Sequence, residues 1–203
     1  PFSTDTNASD VGEMTIGRVY AIGQSSSISG YSSGGNDGNY SNVIDKFPFA
    51  ADGLATDVGN LTIVKGHGGG QSSSENGYTT GGDTGPVVDI IDKFSFAVDG
   101  NATDVGELSC CRQWTTGQSS SISGYTSGGF CVSVDLNIID KFPFATDSPA
   151  SDVGDLSGIR GQLAGQSSAE NGYVSGGCSP TVACLNTIDK FPFSSDTNAA
   201  NIG

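Results

Sequence analysis

Ile44-Asp45-Lys46-Phe47 stands again at Ile91-Asp92-Lys93-Phe94, at Ile139-Asp140-Lys141-Phe142 and at Ile188-Asp189-Lys190-Phe191. The copies are 47, 48 and 49 residues apart, and the sequence on either side keeps the same step. Gly23-Gln24-Ser25-Ser26 returns from Gly70, Gly117 and Gly165. The pair Gly34-Gly35 returns at Gly81, Gly128 and Gly176, and Asp10-Val11-Gly12 at Asp57, Asp104 and Asp152, with a looser copy at Asn201. A period this long and this regular marks a repeat architecture.

Each unit reads as four short strands. The first is expected at Gln24 to Ile28 and the second at Tyr31 to Gly35, joined by a turn at Ser29-Gly30 whose counterpart is Glu75-Asn76-Gly77. Gly and Asn suit such turns because they tolerate positive φ. The third strand is expected at Asn42 to Ala50, rich in branched and aromatic residues. The fourth, at Asp57 to Val64, follows a turn at Asp52-Gly53. Four antiparallel strands repeated at this period predict an all-β fold, a β-propeller of four-stranded blades, with four blades plus a partial one in residues 1–203. The units run 1–23 (the partial blade), 24–70, 71–117, 118–165 and 166–203 of a single repeat domain. Glycine lets inner strands crowd at a propeller axis. Phe47, Phe49 and their copies are expected between stacked blades.

The ends overlap: Pro1 to Gly12 nearly duplicates Pro192 to Gly203. The expectation is part of a larger ring or a small ring with an overlapping end, with an open array of units as the lesser alternative. The chain begins at Pro1 with no leader pattern, as expected of a processed chain or a segment of a longer one.

Composition agrees. Gly contributes 31 of 203 residues and charged residues only 15%, which suits many short strands and tight turns. A formal charge of −14 repels phosphate, so neither nucleic acid nor an anionic membrane is an expected partner. No apolar run has the length of a membrane span.

A basic residue, a Ser-rich strand, Tyr-Thr-Ser-Gly-Gly, and then a strand with Asp and aromatics resemble the kelch repeat. Arg18, Lys65, Arg112 and Arg160 occupy the position where kelch repeats favour Arg, but the repeated Trp of the outer strand is missing and the only Trp is Trp114. The wording around Gly117-Gln118-Ser119-Ser120 and Ile139-Asp140-Lys141-Phe142 is similar to kelch-like repeats of virion structural and tail-associated proteins of marine phages. That resemblance implies a virion or extracellular location and other virion proteins or copies of itself as partners.

Comparison among the copies separates constant from variable segments. The turns between strands one and two, and three and four, barely change. The loops after the double Gly (36–41, 83–88, 130–136 and 178–185) and the links after the basic residue (19–22, 66–69, 113–116 and 161–164) all differ. In an up-and-down blade these variable segments share one face, and loops on a rigid scaffold are where recognition resides. That face carries the candidate ligand-binding residues Tyr20, Tyr40, His67, Trp114, Phe130 and Gln162. Their rings suit sugar faces or pockets on a protein partner.

Catalytic and metal chemistry is not expected. Gly30-Tyr31-Ser32-Ser33-Gly34 matches a nucleophile-elbow pattern, but Ser32 becomes Thr79, Thr126 and Val174 in the other copies, and His67 is the single His. The central channel is expected to present the repeated basic residues without a nucleophile or an acid–base pair. The acids of 5–10 and 99–104 have the spacing of calcium loops, yet Asx turns explain them at less cost. Of five cysteines, Cys178 and Cys184 flank one loop and could bridge it, and no regular framework is visible. The expectation is therefore a non-enzymatic structural or host-attachment component of a phage virion, without cofactor or metal. Its partner would be a host-surface glycan or protein. A secreted carbohydrate-binding lectin or adhesin module is the alternative.

Overall fold

A computed structural model describes residues 7–179 and 184–203. Four antiparallel sheets of four strands are arranged as a four-bladed β-propeller, with no helix among the described residues. Blade 1 comprises β1 (Ile22–Ser25), β2 (Ser29–Ser33), β3 (Val43–Pro48) and β4 (Thr56–Asn60). Blade 2 comprises β5 (Gly69–Ser72), β6 (Asn76–Thr80), β7 (Ile90–Ser95) and β8 (Thr103–Glu107). Blade 3 has β9 (Thr116–Ser119), β10 (Ser123–Cys131), β11 (Val134–Pro143) and β12 (Ser151–Asp155). Blade 4 has β13 (Ala164–Ser167), β14 (Asn171–Ser175), β15 (Ile188–Pro192) and β16 (Ala200–Asn201). Each sheet is a meander in sequence order, so every connection is a hairpin or a link to the next blade.

The strand count per unit agrees with the sequence reading, but the bounds of all four strands move, and two of the shifts change what the residues do. The first strand ends at Ser25, and the turn occupies Ser26 to Ile28. The serine makes this turn: Ser26 Oγ accepts from the backbone N–H of Ile28 (3.2 Å) and of Ser29 (3.0 Å). Ser73, Ser120 and Ser168 do the same in the other blades. Gly30, expected in the turn, is a strand residue under the ring of Phe47, where a Cβ would lie 2.3 Å from Cζ. The fourth strand also stops early, at Asn60. Beyond it Leu61 turns into the core and Thr62 reaches Asp92 of the next blade.

The inner strands crowd at the axis as expected. A Cβ on Gly70 would meet the carbonyl oxygen of Gly23 at 2.1 Å, and one on Gly117 that of Gly70 at 2.1 Å. The double glycines solve a different problem. Gly34 and Gly35 have φ of 63° and 105°, and the pairs at 81, 128 and 176 repeat this; in blades 1, 2 and 4 the pair swings the chain out of strand two into a loop, and in blade 3 it makes a bulge within β10.

The core lies between blades. Tyr31, Ile44 and Leu61 of blade 1 close over Phe94 and Ala102 of blade 2. Tyr78, Ile91 and Leu108 close over Phe142, and Tyr125, Ile139 and Leu156 over Phe191 and Val174. Each tyrosine ring stacks on the second phenylalanine of the next blade, at 4.9 Å for Tyr31–Phe96, 5.0 Å for Tyr78–Phe144 and 4.9 Å for Tyr125–Phe193.

The basic residue of each unit is not in the channel. It is buried between blades against the Asp of the Ile-Asp-Lys-Phe motif: Arg18–Asp45 at 3.1 Å, Lys65–Asp92 at 3.0 Å, Arg112–Asp140 at 2.9 Å and Arg160–Asp189 at 2.9 Å. Burial pulls the Lys65 pKa down, with Asp92 opposing the shift. The carboxylate gains a hydroxyl as well, from Thr15 (2.7 Å), Thr62 (2.5 Å), Ser109 (3.0 Å) or Ser157 (2.7 Å). A buried charge needs this satisfaction, and no aqueous channel could supply it as specifically. The Lys of the same motif forms a second, exposed link to the following blade: Lys46–Asp99 (2.8 Å), Lys93–Asp147 (2.5 Å) and Lys141–Asp196 (2.8 Å).

The described part of the partial unit, from Asn7, takes the place of a fourth strand ahead of blade 1. Val11 and Glu13 carbonyls accept from Gly53 (2.9 Å) and Ala55 (2.8 Å), as Asn60 accepts from Ala102 (2.8 Å). Residues 1–6 lie outside the described residues, and with them Asp5 of the candidate calcium spacing. Asp10, Asp57, Asp104 and Asp152 each accept from the N–H two residues on at 3.1 Å, which is the expected Asx turn.

Candidate functional site

The links between blades and the loops after the double glycines meet on one face. Isolated bridges join them: Val19 to Asn36, Gly66 to Asp83, Gln113 to Phe130 and Gly161 to Cys178. Each link must reverse from the outermost strand of one blade to the innermost strand of the next. It does so at one residue in the left-handed region: Tyr20 (φ 59°), His67 (φ 60°), Trp114 (φ 57°) and Gln162 (φ 59°). A side chain in that region costs about 1–2 kcal/mol, and glycine would avoid the cost. Four large residues there are an outlier of the kind that marks working sites.

Their backbones are chained around the axis. His67 N–H donates to the Tyr20 carbonyl (3.2 Å), Trp114 N–H to that of His67 (2.7 Å) and Gln162 N–H to that of Trp114 (2.9 Å). The four side chains therefore rim one cavity of about 390 Å3 at the mouth of the central channel, floored by Ala21, Gly68, Thr115 and Leu163. Tyr20 and His67 rings stand 3.7 Å apart, and His67 meets Trp114 edge-on at 6.2 Å. Trp114 leans on Phe130 at 5.2 Å, and Tyr40 faces the edge of His67 at 6.5 Å. All six residues singled out in the sequence thus gather here: four form the rim and Tyr40 and Phe130 stand behind it.

Two carboxylates were not legible as part of the group. Asp83 accepts from Tyr40 Oη (2.6 Å) and pairs with His67 Nδ1 (2.8 Å). A carboxylate accepts only from a protonated nitrogen, so Nδ1 carries hydrogen and Nε2 is left for other contacts. Burial, the bond to Asp83 and its charge push the Tyr40 pKa up to about 12. Asp135 is buried beside a smaller cavity of about 210 Å3 lined also by Trp114, Gln162, Cys178 and Ser179. Its Oδ2 has no hydrogen-bond partner, and burial raises its pKa against a hydrogen bond from Ser179. Asp83 directly follows a double glycine, at a position held by Asn36, Phe130 and Cys178 elsewhere; that departure was the available signal.

In blade 3 the loop is a hairpin extension, with β10 and β11 continuing to a two-residue turn at Val132 and Ser133, both at positive φ. It carries Phe130 at one strand and Asp135 opposite it. In blade 4 Cys178 and Cys184 form a disulfide, the bridge that the sequence allowed where free cysteines were the default expectation. No group of three or more His, Cys, Asp or Glu placed to hold a metal occurs among the described residues.

Set against protein-family models and curated proteins, the sequence matches none. The chemistry of the site therefore stands on its geometry. Aromatic faces, one imidazole and one amide surround an open cup, with Asp83 behind the imidazole. Such a set binds by stacking and by accepting hydrogen bonds from hydroxyls.

Proposed function

We propose that this chain is a non-enzymatic recognition module that binds a carbohydrate in the cup formed by Tyr20, His67, Trp114 and Gln162. The observation that carries the reading is the set of four bulky left-handed residues, one per link, held around one axis. A scaffold has no need of large side chains at that strained position, whereas a sugar ring needs faces to stack on and acceptors beside them. Gln162 and His67 supply polar groups at the rim, and Asp83 orients the imidazole from behind. In this reading the variable face serves attachment to a host-surface glycan, as part of a phage virion. The likeness to marine-phage virion repeats supports that setting. The geometry of the cup serves a secreted lectin or adhesin equally, and the two differ in whether the protein copurifies with a particle.

The test is a glycan array and calorimetric titration of the whole chain beside Trp114→Ala and His67→Ala. Loss of a measured affinity in both variants, with unchanged circular dichroism, supports the cup. Binding that survives both, or no binding to any glycan by the parent chain, overturns it.

A further inference from the structure

Cysteine occurs only from residue 110 onward, and every one of the five stands in a link or a loop extension rather than in a blade's core. Cys178 and Cys184 are already joined. Of the remaining three, Cys111 and Cys131 face each other with their sulfurs 3.4 Å apart. They come from different segments. Cys111 precedes the buried Arg112 in the link between blades 2 and 3, and Cys131 ends β10 on the hairpin extension of blade 3. The third, Cys110, accepts a hydrogen bond from Arg112 Nη1 at 3.4 Å.

The pair belongs to this junction alone. At the place of Cys111, just before the buried basic residue, the other copies have Gly17, Val64 and Ile159, and the last two are exposed. At the place of Cys131, two residues after the double glycine, they have Asp37, Thr84 and Ser179. The two cysteines thus enter together, at the junction whose loop is drawn out into a hairpin. The other loops close on themselves: bridges join Asn36 to Tyr40 and Asp83 to Val87, and the disulfide joins Cys178 to Cys184. The blade 3 hairpin instead projects, with Val132 and Val134 exposed at its tip. Its backbone tie to the link is the reciprocal pair of bonds between Gln113 and Phe130, at 3.0 and 2.8 Å, and Cys131 stands one residue beyond them.

We infer that Cys111 and Cys131 are a site of oxidative modification, where exchange with a disulfide-bearing oxidant makes a second disulfide that staples the blade 3 hairpin to the link. An S–S bond is about 2.05 Å long, so the two sulfurs need to approach by only about 1.4 Å. Cys111, half-buried, loses its proton and attacks one sulfur of the oxidant, whose other sulfur leaves as a thiolate. Cys131 then loses its proton and attacks Cys111 Sγ, and the second oxidant sulfur leaves. The two cysteines together give up two protons and two electrons, and the oxidant becomes two thiols. Burial and the Cys111 thiol push the Cys131 pKa up to about 11. Cys131 is therefore a poor first attacker and, from 3.4 Å, a well-placed second one. The bond closes a loop between residues 20 apart, with Trp114 near one end and Phe130 at the other. It thereby fixes the 5.2 Å ring contact between those two at the edge of the cup, whatever the cup binds.

The experiment incubates the whole folded chain with oxidised glutathione, blocks the remaining thiols by alkylation and maps the products by mass spectrometry. A Cys111–Cys131 link is expected, with two hydrogens lost from the pair and Cys110 alkylated. Cys131→Ser should keep glutathione on Cys111, and Cys110→Ser should form the link as the parent does. Oxidation should raise the melting temperature of the parent by about 5–10 °C more than that of Cys131→Ser, in which Cys178 and Cys184 are still joined. Cys111 and Cys131 both alkylated after the treatment, or a link from Cys110 to either of them, overturns the inference. A Cys111–Cys131 link that brings no extra rise in melting temperature overturns its role as a staple.

Discussion

Blade 2 and blade 4 are near copies in sequence and bury their motif Asp and first phenylalanine alike, yet differ in how far Gln71 and Gln166, Tyr78 and Tyr173, and Ile91 and Ile188 are covered. In blade 2 a neighbour covers each face: Tyr78 is 2% and Gln71 1% exposed, and Lys65 is sealed against Asp92. In blade 4 the equivalent Gln166 is exposed and Tyr173 half-buried, and Ile188 loses the cover that Ile91 enjoys. The residues are the same, so the difference teaches that a unit of this chain has little core of its own. Its apolar surface is buried by the next unit, as in other repeat proteins whose stability is a sum over neighbours.

The sharpest break of this comparison is at the sealed charge. Lys65→Ala leaves Asp92 buried with only neutral donors, from Thr62 and Thr79, and we expect a loss of about 4 kcal/mol in urea denaturation. The exposed Lys93→Ala should cost less than about 1 kcal/mol. Equal costs would show that the inner pair is wet. Next, Tyr78→Ala should destabilise by about 3 kcal/mol, since its ring fills the space between blades 2 and 3. Tyr173→Ala in dilute solution should cost clearly less; a matching loss would mean that blade 4 is already covered.

The rim of the cup gives a smaller effect of opposite sign. Gln162 is exposed and at φ 59°, so Gln162→Gly should leave stability unchanged or raise it by about 1 kcal/mol while weakening glycan binding. A clear loss of stability would assign the residue a packing role instead. The smallest expected signal is spectroscopic. With the folded Tyr40 pKa near 12, against an ordinary 10.0, the neutral phenol is favoured by folding. Its stabilising contribution is whole below about pH 10 and is lost as pH rises through about 12. The difference between parent and Tyr40→Phe in phenolate absorbance should therefore appear near pH 12. A difference centred near pH 10 would place Tyr40 in water.

Repetition made most of the fold legible. Four copies of Ile-Asp-Lys-Phe fixed the period, and strand patterning gave four strands per unit without further help. Comparing copies also assigns Tyr20, His67, Trp114 and Gln162 to one face. What the pattern hid was local chemistry that two readings fit equally. Gly30 suits a turn or a strand beneath a ring, and only the ring of Phe47 decides. Asp83 reads as one more loop acid until His67 and Tyr40 are brought to it from other segments.

Sequence alone determined the all-β repeat, its four-strand unit and the sorting of constant from variable segments, because periodicity and turn chemistry act over a few residues at a time. Tertiary structure alone decided which charges are buried, which rings find partners and where the aromatic cup closes. Those depend on what stands across the gap between blades. Arg18 and Lys46 are both cations of a repeated motif, yet one is sealed against Asp45 and the other meets Asp99 at the surface. Nothing in the spacing of residues along one strand records the distance to the next sheet, and burial, which sets the strength of every polar contact here, is a property of that distance.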